Sequence, residues 1–489
     1  MTYSPDSLTI QIGRTEDERS FVWLQDGGFS GAHLDITTLA AYERDGGFTD
    51  HNTTRYPAEV SPVRMREPFV SCRVRVSGLT PDRYIYRVGC DTAEDSEAYR
   101  FTVRAGLDKK QTFFLYSDLH CNAYRRAVNT GDPTGEKKRA EFEAMLQAAC
   151  AFGDTPDFLL SIGDNISVCN MPASFYPNPE EFSKKRAAEY AFLEHREFLS
   201  APTLKSIPFA SVMGNHDSEL LREPEDIGQI SSAFFQMPND DGFSGHYDDA
   251  SSGDFYFVSG RLLVVGINAM VSAPQNCKGC EKDVHRAFIE RAVAAHPDAA
   301  FRILLNHVPA YSYVGGAPLR ADGTPTETAK MAAFFHELCE GFGFDVVFSG
   351  HQHAFSRTYP LLGGRVMNAD LAEIELLADN CCRSTIRNPK GIVHYNVPAA
   401  MPHSFNSGLP DEPDEIFESY AMTERYYKQS IRDNVKNIDK YKGTTYPQIP
   451  TFAHATLEQT VNDDVLTVNA VAMDGSVFDT LIIKKTKRR

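Results

Sequence analysis

Gln111-Thr112-Phe113-Phe114-Leu115-Tyr116-Ser117-Asp118-Leu119-His120 sets a short apolar run directly before a carboxylate and an imidazole. The run is short and aromatic-rich, so it reads as a buried strand. Asp118 and His120 are two apart, and at a strand end both face one way. The pattern returns four times. Gly163-Asp164-Asn165 follows 157–162, Gly214-Asn215-His216-Asp217 follows 208–213, Asn306-His307 follows 301–305, and Gly350-His351-Gln352-His353 follows 344–348. Helical stretches lie between. Phe142, Met145, Leu146 and Ala149 repeat at i, i+3, i+4, i+7, and residues 183–199 and 283–295 also read as helices. Alternating strands and helices imply an α/β layered fold, in which ligands collect at the carboxyl ends of strands. All five motifs fall there.

The motifs supply Asp118, His120, Asp164, Asn215, His307, His351 and His353 as donors. A dinuclear hydrolytic centre, with ions about 3.5–4 Å apart, takes about this number and usually one bridging carboxylate. Oxygen and imidazole donors suit two divalent ions of Mn, Fe, Zn or Co, and an amide oxygen is a legitimate hard donor. Two such ions, the two aspartates and a bridging hydroxide would leave a small positive charge, a sink for a phosphoryl group.

The remaining sequence frames this centre. With 489 residues the chain is too long for one ordinary core, and 42% hydrophobic with 24% charged residues is a globular composition. No apolar run is long enough for a membrane-spanning helix. A net charge of -17 argues against a broad nucleic-acid or anionic-lipid surface and demands locally concentrated positive charge for an anionic substrate. The basic residues from Lys484 onward read as a solvated end. Ten cysteines are too few for a disulfide scaffold. Cys277/Cys280 has chelate spacing and Cys381/Cys382 is an adjacent pair; a zinc site or loop disulfide is the alternative to reduced thiols. The start, Met1-Thr-Tyr-Ser-Pro-Asp, shows no secretory pattern, so a cytoplasmic location is expected, with an exported mature form as the alternative.

Residues 1–106 read as all-β, with Trp23 a core residue of a sandwich and Leu79-Thr-Pro-Asp a turn. Residues 107–489 form the α/β part. Within it 405–450 reads as an insertion or linker, and 451–489 as strands completing the sheets, with Asp474-Gly475 a hairpin turn.

The quintet resembles the calcineurin-like metallophosphoesterase superfamily. Ser349-Gly-His-Gln-His-Ala-Phe-Ser-Arg-Thr-Tyr-Pro360 is similar to the matching stretch of purple acid phosphatases, and the N-terminal part resembles their fibronectin type III-like domain. The resemblance spans most of 8–400 and thins from 405 to 450. It implies a four-layer catalytic domain, two mixed β-sheets between helices. It assigns Asp118, His120 and His353 to one metal, Asn215, His307 and His351 to the other, and Asp164 to the bridge. His216 would contact the phosphoryl group or protonate the leaving group. Purple enzymes carry a metal-binding tyrosine three residues after the bridging aspartate and lack a histidine two after the first aspartate. Here Ser167 and His120 occupy those positions, which implies a colourless enzyme.

The expected activity is hydrolysis of small-molecule phosphate esters by in-line attack of a metal-bridging hydroxide, as a phosphomonoesterase. A phosphodiesterase on the same centre is the rival. A metal-bearing pseudoenzyme or binding protein acting through the sandwich is the rival of another class. Asp217 reads as a carboxylate orienting His216, or as a helix N-cap. Asn122, Tyr311, Arg357 and His403 are candidate substrate contacts, Arg357 with a structural ion pair as the alternative.

Overall fold

The computed structural model describes residues 5–63, 67–121, 136–167, 184–218, 233–240, 253–268, 282–311, 334, 337–351, 353, 355–363, 365–367, 372–376, 382–400 and 451–487. Asn122, Cys277, Cys280, Cys381, His403 and the 405–450 segment lie outside them.

The N-terminal residues form a β-sandwich. A four-stranded sheet runs in the order Thr54–Pro57, His33–Thr38, Asp82–Gly89, Tyr99–Val103. It faces the strands Asp6–Ile12, Arg19–Asp26 and Phe69–Val76 across a core that includes Leu8, Phe21, Trp23, Val74, Tyr86 and Phe101. Trp23 is fully buried there. The second face of the sandwich is not a closed sheet. Asp6–Ile12 pairs in parallel with Phe209–Ser211 through Gln11 and Phe209, so that face continues into a twelve-stranded sheet of the catalytic part. Buried Gln11 pins the junction: its amide donates to the Phe234 carbonyl at 2.7 Å and accepts from Gln236 N–H at 2.7 Å.

The centre of that large sheet is the parallel trio Lys110–Tyr116, Phe158–Ser161 and Phe209–Ser211. A second, six-stranded sheet carries Phe255–Ser259, Leu262–Gly266, Phe301–Leu305, Val346–Ser349, Val393–Asn396 and Ser356–Arg357 in order. Strand alternation builds the layers. Val264, Ile303, Leu305, Val346 and Phe348 turn toward the first sheet, where Phe113, Leu115 and Leu160 meet them. The intervening Leu263, Val265, Leu304 and Val347 turn outward beneath Phe288, Ile289 and Ala292 of the helix Lys282–Ala295. On the far side of the first sheet the helices Glu136–Ala151 and Lys184–Leu199 bury Phe142, Met145, Leu146, Phe192 and Phe198. The result is helix, sheet, sheet, helix, the four-layer class that the family resemblance implied.

Residues 451 onward return to the first sheet. Thr451–Gln459 pairs antiparallel with Lys110–Tyr116, and Asp463–Ala472 and Val477–Thr486 extend it. Gly475, at φ 82°, makes the turn between the last two, with Ser476 N–H donating to Asp474 Oδ1. The basic end is less solvated than its composition suggested: Lys485 lies in the last strand and its Nζ stands 2.6 Å from Asp345. Among the described residues no helix is long and apolar enough to cross a membrane.

Candidate metal centre

Each motif sits where a parallel strand ends and the backbone is no longer committed to a ladder. Loop-to-loop hydrogen bonds then hold the motifs together. Asp118 N–H donates to the Gly163 carbonyl at 3.0 Å, His120 N–H to Asp164 at 2.9 Å, and Gly350 N–H to His307 at 2.9 Å. The loops approach so closely that side chains are excluded at two positions. A Cβ on Gly214 would lie 2.1 Å from Asp164 Oδ1, and one on Gly350 would lie 1.8 Å from Ser117 Oγ.

The backbone here is strained. Asp118, His120, Asp164, His351 and His353 all have φ between 46° and 68°, five of the eight non-glycine residues with positive φ among the described residues. Such left-handed conformations cost roughly 1–3 kcal/mol each and persist where the surroundings over-determine them, most often at functional sites.

The side chains converge into one donor cluster. Asp118, His120 and His353 place a ligand-type atom each within 4.8 Å of one another, and so do Asp164, His307 and His351. His353 Nε2 lies 3.3 Å from Asp118 Oδ1 and 3.0 Å from His120 Nε2. His307 Nε2 lies 3.1 Å from Asp164 Oδ2, while Asn215 Oδ1 stands 3.2 Å from His307 Nε2 and 2.8 Å from His351 Nδ1. The two groups adjoin: His120 Nε2 is 3.7 Å from Asp164 Oδ2, and His307 Nε2 is 4.0 Å from Asp118 Oδ1. Two ligands each about 2.1 Å from one cation stand about 3.0–3.4 Å apart. The spacings therefore fit divalent cations. His307 Nδ1–H donates to the Ile162 carbonyl at 2.7 Å, which turns its Nε2 inward as a donor atom.

The electrostatics follow from burial and from the neighbouring charges. Burial works against the Asp118 charge, yet the facing imidazoles of His353 and His307 outweigh it and hold the carboxyl below its ordinary range. Asp164 is held well below its ordinary value in the same way, by His307 and His216 against burial. Burial pulls His307 down, but the Asp164 charge carries it up to about 9. His351 is pushed down to about 4 by burial and by the neighbouring His307. The two buried carboxylates keep their negative charge and draw positive charge onto the facing imidazole of His307, so the pocket attracts cations.

His216 occupies the first turn of the short helix Asn215–Ser218. Its backbone N–H donates to Asp164 Oδ1 at 2.7 Å and its ring packs edge-on against His120, with centroids 4.5 Å apart. Its Nδ1 is buried without a hydrogen-bond partner. Asp217 does not reach that ring. Its Oδ2 accepts from Asp164 N–H and Gly214 N–H, both at 2.8 Å, and its Oδ1 from Ile166 N–H at 3.2 Å.

Among the candidate substrate contacts, Arg357 takes the structural ion pair that was its alternative. It is fully buried, forks onto Asp479 with Nε–Oδ2 2.8 Å and Nη2–Oδ1 2.9 Å, and donates to Ser384 Oγ. A guanidinium with its carboxylate already in place between two sheet strands has nothing left for substrate. Tyr311 packs its ring against His394 at 4.6 Å and belongs to the outer core of the second sheet. Asn122 and His403 lie outside the described residues. Ser167 is buried and donates its N–H to Glu194 Oε2 at 2.8 Å.

Sequence reasoning missed Asn268. Its Oδ1 accepts from Met213 N–H at 2.9 Å, its own N–H donates to Asp254 Oδ1 at 2.9 Å, and His285 Nδ1 lies 2.6 Å from Asp254 Oδ2. This buried relay ties the helix Lys282–Ala295 to the residue just before Gly214. The signal was present: Leu262-Leu-Val-Val-Gly-Ile-Asn268 repeats the pattern of apolar run and polar side chain.

Comparison with known proteins matches this arrangement. Residues 112–355, which hold all five motifs, match the calcineurin-like phosphoesterase family model. The purple acid phosphatase PPD1 from yellow lupin (Lupinus luteus) seeds shares the fold, with a TM-score of 0.63 at 14% identity over 99% of this chain and 75% of its own. A structure from Bacteroides vulgatus, aligned over 69% of this chain and 59% of its own at 10% identity, has a TM-score of 0.19 and carries no argument. No curated protein sequence matches the chain. The family's residues thus span the five loops that converge at the strand ends, and the chain belongs to the calcineurin-like metallophosphoesterases, metal-dependent hydrolases of phosphate esters.

Proposed function

We propose that the chain is a phosphomonoesterase with a dinuclear centre. Asp118, His120 and His353 would hold one divalent cation, Asn215, His307 and His351 the other, and Asp164 would serve both. The observation that carries this reading is the unbroken run of donor atoms from His353 through Asp118, His120 and Asp164 to His307 and Asn215, with neighbouring donors at 4.0 Å or less. When bound, such cations supply an activated water for in-line attack and offset charge on the phosphoryl oxygens.

The chain's own residues do the rest. Asp164, its charge held by His307 and His216, fixes the site's geometry from a buried position. His216 brings a ring nitrogen to the same cluster and keeps its Nδ1 free of hydrogen bonds, which supports a role as proton donor for the leaving alkoxide. Proton transfer there releases the alcohol and leaves phosphate. A monoester leaves more unesterified oxygen for cations and His216 to bind than a diester does, which favours the monoesterase.

Elemental analysis of the purified protein, followed by parallel assays on 4-nitrophenyl phosphate and bis(4-nitrophenyl) phosphate, tests the reading. Two metal equivalents and preferential cleavage of the monoester are expected. One equivalent would remove the dinuclear part, and faster diester cleavage would make the enzyme a phosphodiesterase. Ser167 stands where purple enzymes carry their tyrosinate ligand, so the loaded protein is expected to lack a visible charge-transfer band. Its appearance in an absorption spectrum would place a tyrosine on the metal.

A further inference from the structure

The cleft between the sandwich and the catalytic layer gathers cationic side chains that the metal centre does not use. One wall is the outward face of the strands Asp82–Gly89 and Tyr99–Val103. Alternation turns Tyr84 and Phe101 into the sandwich core and leaves Arg83, Arg100 and Thr102 exposed on the other face. Arg104 follows on the same side. The opposite wall is Gln147 and Cys150 of the helix Glu136–Ala151, with Thr203 and Ser206 beyond it. The cavity they enclose is about 540 Å³, within the roughly 300–1,000 Å³ of small-molecule sites.

Its charge is one-sided. Arg83, Arg100 and Arg104 face a single carboxylate, Asp157. That carboxylate is occupied: Oδ1 lies 2.8 Å from Arg104 Nε, and Oδ2 accepts from Thr112 N–H at 2.8 Å. Arg83 and Arg100 have no ion-pair partner among the described residues.

A second observation points the same way. Behind the cleft, sharing Thr102, Arg104, Asp157 and Pro208 with it, lies a chamber of about 30 Å³ lined by Arg19. Arg19 is 8% exposed. Its Nη1 donates to the carbonyls of Glu16 and Glu18, and its Nε is buried with no partner. Burial pushes this guanidinium down to about 10, with Asp157, Glu16 and Asp17 offsetting only part. In a chain of net charge -17, Arg83, Arg100 and Arg104 around the cleft, with Arg19 behind it, create a local field for an anion. Guanidinium forks match phosphate oxygens two at a time. Cys150, Pro156, Pro202 and Pro208 add apolar surface for an organic body.

We propose that this cleft binds a small organic phosphate as a second anion site. Asp157 precedes the strand Phe158–Ser161 and Asp164 follows it, so cleft and metal centre stand at opposite ends of one strand.

Calorimetric titration of the metal-loaded full chain with phenylphosphonate, whose P–C bond resists hydrolysis, tests this. Two equivalents are expected, one at the metal centre and one at the cleft. R83A/R100A is expected to bind one equivalent and keep an unchanged competitive inhibition constant against 4-nitrophenyl phosphate. R83K/R100K keeps the charge but loses the fork, and should bind the second equivalent about tenfold more weakly or worse. An unchanged unfolding midpoint in the lysine variant separates lost contacts from lost structure. Benzoate binding the cleft as tightly as phenylphosphonate would overturn the phosphate assignment, and equal affinity for inorganic phosphate would overturn the organic part. A single equivalent in the unmodified chain, or two retained in R83A/R100A, would overturn the site.

Discussion

One oxygen of the Asp217 carboxylate accepts the backbone N–H of Asp164 and the backbone N–H of Gly214, each at 2.8 Å. The other accepts from Ile166 at 3.2 Å. Asp217 thereby ties two donor loops, arriving from different strands, to one buried point. D217A would strand these N–H groups, each costing about 1–3 kcal/mol when left unpaired. The loops would also lose their mutual register. Metal affinity should fall about 10–100-fold, the usual effect of losing a group that orients ligands. Competition against a chelator measures it; an unchanged dissociation constant would mean that the loops hold their register without Asp217.

Arg357 and Asp479 form a fully buried pair between the strands Ser356–Arg357 and Val477–Thr486. Removing one partner of such a pair costs about 3–5 kcal/mol because the other charge stays buried and uncompensated. R357A is therefore expected to lower unfolding free energy by about that amount while KM and metal content stay near those of the unmodified enzyme. A large rise in KM with stability intact would return Arg357 to the substrate.

Those two residues mark where sequence reading succeeds and fails. The alternation of strands and helices was legible because buried strands are short apolar runs and the core-facing helices keep their period, whereas the four-layer order came from the family resemblance. The donors were legible because each follows such a run. Arg357 was not, since its partner Asp479 lies 122 residues away in a strand that local pattern does not connect to it. The continuity of sandwich and catalytic sheet hid for the same reason: it rests on a parallel bridge between Gln11 and Phe209, a long-range register. The strands Phe255–Ser259, Ala372–Leu376 and Cys382–Arg387 carry ordinary β-character but no motif to draw attention to them.

His195 supplies a pH dependence from outside the donor set. Its Nδ1–H donates to the Ala191 carbonyl at 2.8 Å and its ring stacks on Phe234 at 5.1 Å. Burial pushes its pKa from 6.5 to about 4. The unfolded chain thus binds a proton that the folded chain refuses, and linkage removes stability as pH falls from about 6.5 to about 4, levelling off below. The contribution is on the order of 3 kcal/mol. Urea unfolding at pH 7 and pH 4.5 should show a loss in the unmodified chain that shrinks in H195F. Equal losses in both would assign the acid sensitivity elsewhere.

His216 separates chemistry from metal binding. Its Nδ1 is buried without a hydrogen-bond partner, and its backbone N–H holds Asp164 Oδ1 whatever the side chain. H216A keeps that backbone bond, so metal content should stay near that of the unmodified enzyme while kcat falls about 10²–10⁴-fold, the range for a lost general acid. The size of the fall should depend on the leaving group. An alkyl alcohol needs the proton and 4-nitrophenolate scarcely does, so the variant's defect should be large on an alkyl phosphate and small on 4-nitrophenyl phosphate. A ring that only binds the phosphoryl oxygens would slow both substrates alike, and a ring that binds metal would lose the ion together with activity on both. The comparison of two leaving groups at measured metal content therefore decides which of the three His216 is.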